Sequence, residues 1–194
     1  MRRYSMFATT GVFLAVVGMA CAQKPTSSTR QPIPTMSSSG QANLPGGFCA
    51  ISQLQATPST IPFVANNPGG TVAAGSVATV RWNLINGNNG RTWTLLVGAS
   101  SSSFIGCTTV PISAVSFKCV SVDADGGGQT SGGCNMNNFT PLPNTLPGIP
   151  VASGNEGNAS LHNYTVVLGY QLADSWRYIA NTCPVNVSYT VIAQ

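Results

Sequence analysis

The sequence predicts an all-β protein: an antiparallel immunoglobulin-like β-sandwich of about seven strands. Three observations carry that expectation. From position 48 onward, apolar residues recur at every second position, the period of a pleated strand rather than of a helix. The runs are short and end in Gly, Pro, Asn and Ser, the residues that break strands and open turns. Charged residues make up only 6% of the chain, against about 25% in an average soluble domain, so hydroxyl and amide groups take the polar positions.

Before the domain come two segments of other character. Residues 1–22 read as an export signal: Arg2 and Arg3 supply a positive start, and an apolar run over residues 6–19 follows, centred on Val12, Phe13, Leu14, Val16 and Val17. Ala20-Cys21-Ala22 then offers the small-x-small pattern of a signal-peptidase site. The run is shorter than the roughly 20 apolar residues a membrane span needs. The expected mature chain therefore begins at Gln23, secreted or at the cell surface, with no transmembrane segment. Cys21 is the alternative, a lipoprotein anchor, but Gly18 stands where Leu, Val or Ile is expected, so ordinary cleavage is favoured. Residues 23–47 are rich in Pro, Ser, Thr and Gly with no apolar period, a disordered linker that cannot bury enough surface to offset its ordering entropy. Residues 48–194 are the sandwich domain.

Within that domain, residues 60–64 form a strand interrupted by Pro62, which places it at an edge. Ala78, Val80, Trp82 and Leu84 share one face of the next strand, Asn86-Gly87-Asn88-Asn89-Gly90 forms a reversal, and Trp93, Leu95 and Val97 return. This pattern predicts a β-hairpin. Val115, Phe117 and Cys119 alternate inward, residues 123–138 form a glycine-rich loop, and residues 141–150 a proline-punctuated one. A short strand over residues 149–152 precedes a long one carrying Tyr164, Val166, Leu168, Tyr170 and Leu172. Val185, Val187, Tyr189 and Val191 make the last strand, and no internal repeat is visible.

Removal of the signal leaves Cys49, Cys107, Cys119, Cys134 and Cys183. In an oxidising compartment, spaced cysteines with no C-x-x-C pair point to disulfides rather than to metal. Their odd number leaves one free or paired between chains. The candidate bridges are Cys119–Cys134, closing the glycine-rich loop, and Cys49–Cys183, tying the first strand to the last.

Trp93-Thr94-Leu95 with Val97, followed by Tyr164, Leu168, Tyr170, Leu172 and Asp174, resembles the WxL cell-surface domains of bacteria. Those carry an early Trp-x-Leu strand and a late Tyr-x-x-x-Leu-x-Trp-x-Leu-x-Asp strand. Here tyrosine replaces the second tryptophan, and the chain continues through Trp176 and a further strand. The resemblance implies non-covalent attachment to a cell-wall polymer.

Few residues suit chemistry. The basic side chains Lys24, Arg30, Arg81, Arg91, Lys118 and Arg177 form no run, which excludes the dense positive footprint of a nucleic-acid binder. His162, the single histidine, can form a hydrolase triad with Asp174 or Glu156 and a serine only on paper, since no serine sits in a G-x-S-x-G elbow. It is expected at the surface, at the start of a strand. Asp123-Ala124-Asp125-Gly126 opens like a calcium loop but lacks the ligands that would complete it, so a surface turn is expected there and no metal or cofactor. Asp174, Trp176, Arg177 and Tyr178 form the candidate binding loop, where two aromatics flank an arginine as at interaction hot spots. In the opposing and favoured reading, Trp176 and Tyr178 plug the core while Arg177 pairs with Asp174.

The expected function is thus an exported, non-catalytic cell-surface or extracellular module that binds cell-wall polysaccharide or another surface protein. A self-assembling fimbrial or matrix subunit is the alternative, supported by the long extended N-terminal segment, and a secreted hydrolase stands third.

Overall fold

A computed structural model describes residues 6–11, 50–58, 60–65, 69–74, 76–85, 91–125, 131–157, 161–175 and 183–193. Its strands are β1 (Met6–Gly11), β2 (Ala50–Thr57), β3 (Thr60–Ala65), β4 (Thr71–Ala73), β5 (Ala78–Ile85), β6 (Thr92–Ala99) and β7 (Ser103–Phe104). They continue with β8 (Cys107–Pro111), β9 (Val115–Asp125), β10 (Gly133–Cys134), β11 (Thr140–Pro141), β12 (Ile149–Asn155), β13 (Leu161–Ala173) and β14 (Val187–Ala193). One 3-10 turn, Ile112–Ala114, lies between β8 and β9. Among the described residues there is no α-helix, and no helix is long and apolar enough to cross a membrane.

The larger sheet runs β11-β9-β13-β5-β2, with β4 also on β13. The smaller runs β10-β12-β6-β14, and β7-β8 and β1-β3 form separate pairs. Pairing is antiparallel throughout, and the two main sheets pack as a sandwich.

β13 is the axis of the larger sheet. Its predicted inward residues Tyr164, Val166, Leu168, Tyr170 and Leu172 are all buried, facing Val80 and Trp82 of β5 and Phe117 of β9 in register. Across the core, Trp93 of β6 meets Trp82 edge-on at 5.1 Å and Tyr164 at 5.2 Å, while Trp82 and Tyr164 stack at 5.4 Å. Each such ring takes about 150–250 Å² out of water, on the order of 4–6 kcal/mol gross at 25 cal/mol per Å². That cluster is where the two layers grip each other.

Three expectations are corrected. The strands predicted around Trp82 and Trp93 exist, but they belong to different sheets and do not pair as a hairpin; the predicted reversal over residues 86–90 lies outside the described residues. Alternation reports which face of a strand is buried, and not which strand lies beside it. The predicted loop over residues 123–138 is instead strand as far as Asp125. The register on β13 passes from Val167↔Ser121 to Leu168↔Cys119, leaving Val120 as an extra residue, 52% exposed. This bulge inverts the phase: Val115, Phe117 and Cys119 point inward before it, and Val122 and Ala124 after it. Lastly, Val185 is buried but precedes β14.

Cys119 on β9 is bonded to Cys134 on β10, as expected, and the bridge joins the two sheets, with Cα atoms 5.5 Å apart. The other expected bridge is not formed: Cys183 is bonded to Cys107, at a Cα separation of 5.7 Å. The reason is local. The segment entering β14 lies along the β7–β8 pair, where the Ile105 N–H donates to the Pro184 carbonyl at 2.9 Å, so Cys183 faces β8 rather than β2. Cys49, the linker 23–47 and most of the expected signal lie outside the described residues. Within the expected signal, Met6–Gly11 is the strand β1, paired with β3.

Glycine is required where the segment before β12 crosses β6. Gly148 has φ +99°, and a Cβ on Gly98 would lie 2.8 Å from its Cα. Ser188, the register partner of Gly98, is buried although it alternates with the core-facing Val187 and Tyr189.

Candidate functional site

The predicted site residues are distributed to opposite ends of β13. Asp174 lies just past its C-terminal end and is buried; its N–H donates to the Gly70 carbonyl at 2.9 Å, and its carbonyl accepts from the Gly69 N–H at 3.1 Å. The rest of the candidate binding loop, Trp176, Arg177 and Tyr178, lies outside the described residues, so neither the displayed nor the plugging arrangement is tested.

His162 is the second residue of β13 and is wholly buried, which corrects the expected surface position. It shares the inward phase of Tyr164, with ring centroids 6.3 Å apart, and pairs in register with Leu84. Twelve residues of extended chain separate it from Asp174, roughly 40 Å at 3.3 Å per residue. No triad can join those two. Glu156, also wholly buried, lies at the His162 end, where its carbonyl accepts the Tyr164 hydroxyl at 2.8 Å and its N–H donates to the Arg91 carbonyl at 3.1 Å. Glu156, Tyr164 and His162 thus form a polar plug against the aromatic cluster.

Asp123 and Asp125 stand on the outer face of β9, exposed, in strand rather than in the expected turn. Two rows cross the sheet there in register: Arg81, Thr165 and Asp123, then Asn83, Asn163 and Asp125. Asn83 donates to Gln53 Oε1 at 3.0 Å. Among the described residues no group of three or more His, Cys, Asp or Glu side chains is placed to hold a metal ion.

Sequence reasoning missed a concavity of about 290 Å³ on the outer face of the smaller sheet, lined by Thr92, Thr94, Ser153, Gly154 and Asn155. β6 and β12 place it, with Ser153 opposite Thr94 and Asn155 opposite Thr92. Ser153 Oγ is hydrogen bonded to Asn135 Oδ1 at 3.0 Å, and Asn155 and Ser131 exchange backbone hydrogen bonds at 3.1 and 3.4 Å. Behind this wall the Trp93 indole N–H donates to the Ser131 carbonyl at 3.3 Å, so the core fixes the rim. The lining carries hydroxyl, amide and backbone groups and no charge. Its one signal in the sequence is the polar phase of β6, Thr92 and Thr94 alternating with Trp93 and Leu95.

Compared with known proteins, the chain matches no family model and no curated protein.

Proposed function

We propose that the chain is an exported, non-catalytic surface or extracellular module that binds a cell-wall polysaccharide or another surface protein. The observation that carries the reading is the uncharged concavity of Thr92, Thr94, Ser153, Gly154 and Asn155. Neutral donors and acceptors held on rigid strands suit the hydroxyl groups of a sugar, with which they exchange hydrogen bonds at little desolvation cost compared with charges. Two disulfides fit an oxidising, extracellular setting. The likeness to WxL domains supports the same reading: Trp93 and Leu95 of that motif are core residues, while Thr94 between them faces the concavity.

Sedimentation with isolated cell wall tests the proposal. Retention above that of a neutral control protein is expected, falling when Thr94→Lys fills the concavity; retention equal to the control would refute it.

A further inference from the structure

β3 is held in the fold by its side chains but not by its ladder. Ile61 and Phe63 are 1% exposed and belong to the core. Among the described residues, however, β3 pairs with β1 and with no other strand. The register is continuous over six residues, Met6↔Ala65 to Gly11↔Thr60. Every β3 backbone group in a ladder is therefore satisfied by the segment that also reads as the opening of the apolar run of an export signal. Once that signal is cut away, β3 stays anchored by Ile61 and Phe63 with its N–H and C=O groups unpaired, and such an edge is a template for another strand.

We infer that the edge of β3 is an acceptor site for an extended strand from another polypeptide, entering antiparallel to β3 in the place of residues 6–11. The occupant's chemistry follows from what is seated there: Met-Phe-Ala-Thr-Thr-Gly, a proline-free run of small and apolar residues, with Ala8 beside Phe63 and Thr10 beside Ile61 in register. Main-chain hydrogen bonds supply the affinity in this mode of recognition, and the side chains beside Ile61 and Phe63 supply the selectivity. The chain's own linker does not match. Pro25, Pro32, Pro34 and Pro45 break it, and its proline-free stretch 35–44 lacks apolar alternation, so the linker of a second copy is not the donor, and the occupant is a strand of a different protein.

The inference rests on the reading of residues 1–22 as a removable leader, and the experiment separates the two. The protein is purified from the exported fraction and its N-terminal residue is determined. If the chain begins after residue 20, it is titrated with a synthetic peptide of residues 4–13, and with Ala8→Pro and Thr9→Pro versions. Of two consecutive strand residues one directs its N–H at the partner. Saturable binding of one peptide per chain is expected, with slowed amide exchange at Thr60–Ala65 and a raised urea midpoint, and at least one proline peptide should bind tenfold or more weakly, about the cost of a lost ladder bond and a ring clash. No binding, or equal binding of all three peptides, overturns the inference, as does a concentration-dependent dimer that the peptide cannot dissociate. If the chain begins at Met1, the export reading falls and the edge is tested within the chain. Ala8→Pro or Thr9→Pro must then speed exchange at Thr60–Ala65, and unchanged exchange in both overturns the acceptor site.

Discussion

Tyr170 of β13 and Tyr189 of β14 join the two sheets through hydroxyl groups 2.9 Å apart, in the buried core. Burial pushes the Tyr189 phenol up to about 12, against a partial lowering by its hydrogen bond to Tyr170. The Tyr170 phenol is raised by burial first, then by the neighbouring Tyr189 charge and their hydrogen bond. Both stay neutral in the folded chain at a pH where an unfolded tyrosine, near 10, ionises. Above that point the unfolded state holds fewer protons than the native one, so stability falls as pH rises; below it the pair contributes in full. For Tyr189 alone, two pH units at 1.36 kcal/mol each give roughly 3 kcal/mol lost between about pH 10 and 12, a large part of a typical 5–15 kcal/mol. Tyrosinate absorbance followed with near-ultraviolet dichroism should show both phenols ionising only as tertiary structure collapses. Tyr170→Phe should cost about 1–3 kcal/mol at neutral pH by leaving the Tyr189 hydroxyl buried alone. The double Phe variant should recover much of that loss and resist alkali better. Titration of both phenols near pH 10 with the fold intact would refute this account of the pair.

Further expectations concern the core, the bridges and the concavity. Gly132→Ala would place a Cβ 2.6 Å from Val122 Cγ1 and 2.7 Å from the Trp93 ring; a loss of about 1–3 kcal/mol should appear in urea unfolding, with an altered tryptophan emission. Replacing Cys119 and Cys134 by Ser opens a 15-residue separation and should cost about 3 kcal/mol on a loop-entropy basis; an unchanged melting curve would contradict it. Non-reducing peptide mapping should recover Cys107 linked to Cys183, and a Cys49–Cys183 peptide would contradict the arrangement. Thr94→Val should weaken cell-wall retention while leaving stability within about 0.5 kcal/mol, since Thr94 faces out from β6.

How much was legible depended on which physical constraint a residue answers to. Burial at period two is local, so the inward phases of Trp82, Trp93, Tyr164 to Leu172 and Val187 to Val191 could be read from residue type alone. His162 misled because its polarity suggests solvent, whereas its place in the β13 alternation is the inward phase of Tyr164, and that phase prevailed. Asp123 and Asp125 misled because the bulge at Val120 shifts the pattern by one, so that a continuing strand reads like the start of a loop. The concavity was invisible for a different reason. Thr92 and Thr94 are separated from Ser153 and Asn155 by about 60 residues of chain, and only the β6–β12 register brings them together.

From the sequence alone came the all-β class, the short strands and the inward faces, because each follows from the character of near neighbours. The tertiary structure decided which strands are partners. It sent β5 and β6 to opposite layers, placed Cys183 beside Cys107, and sealed His162 and Glu156 at one end of β13 while Asp174 lies at the other. Partnership in a sandwich depends on the summed fit of two whole sheet faces across a shared core. No single run of residues carries that information.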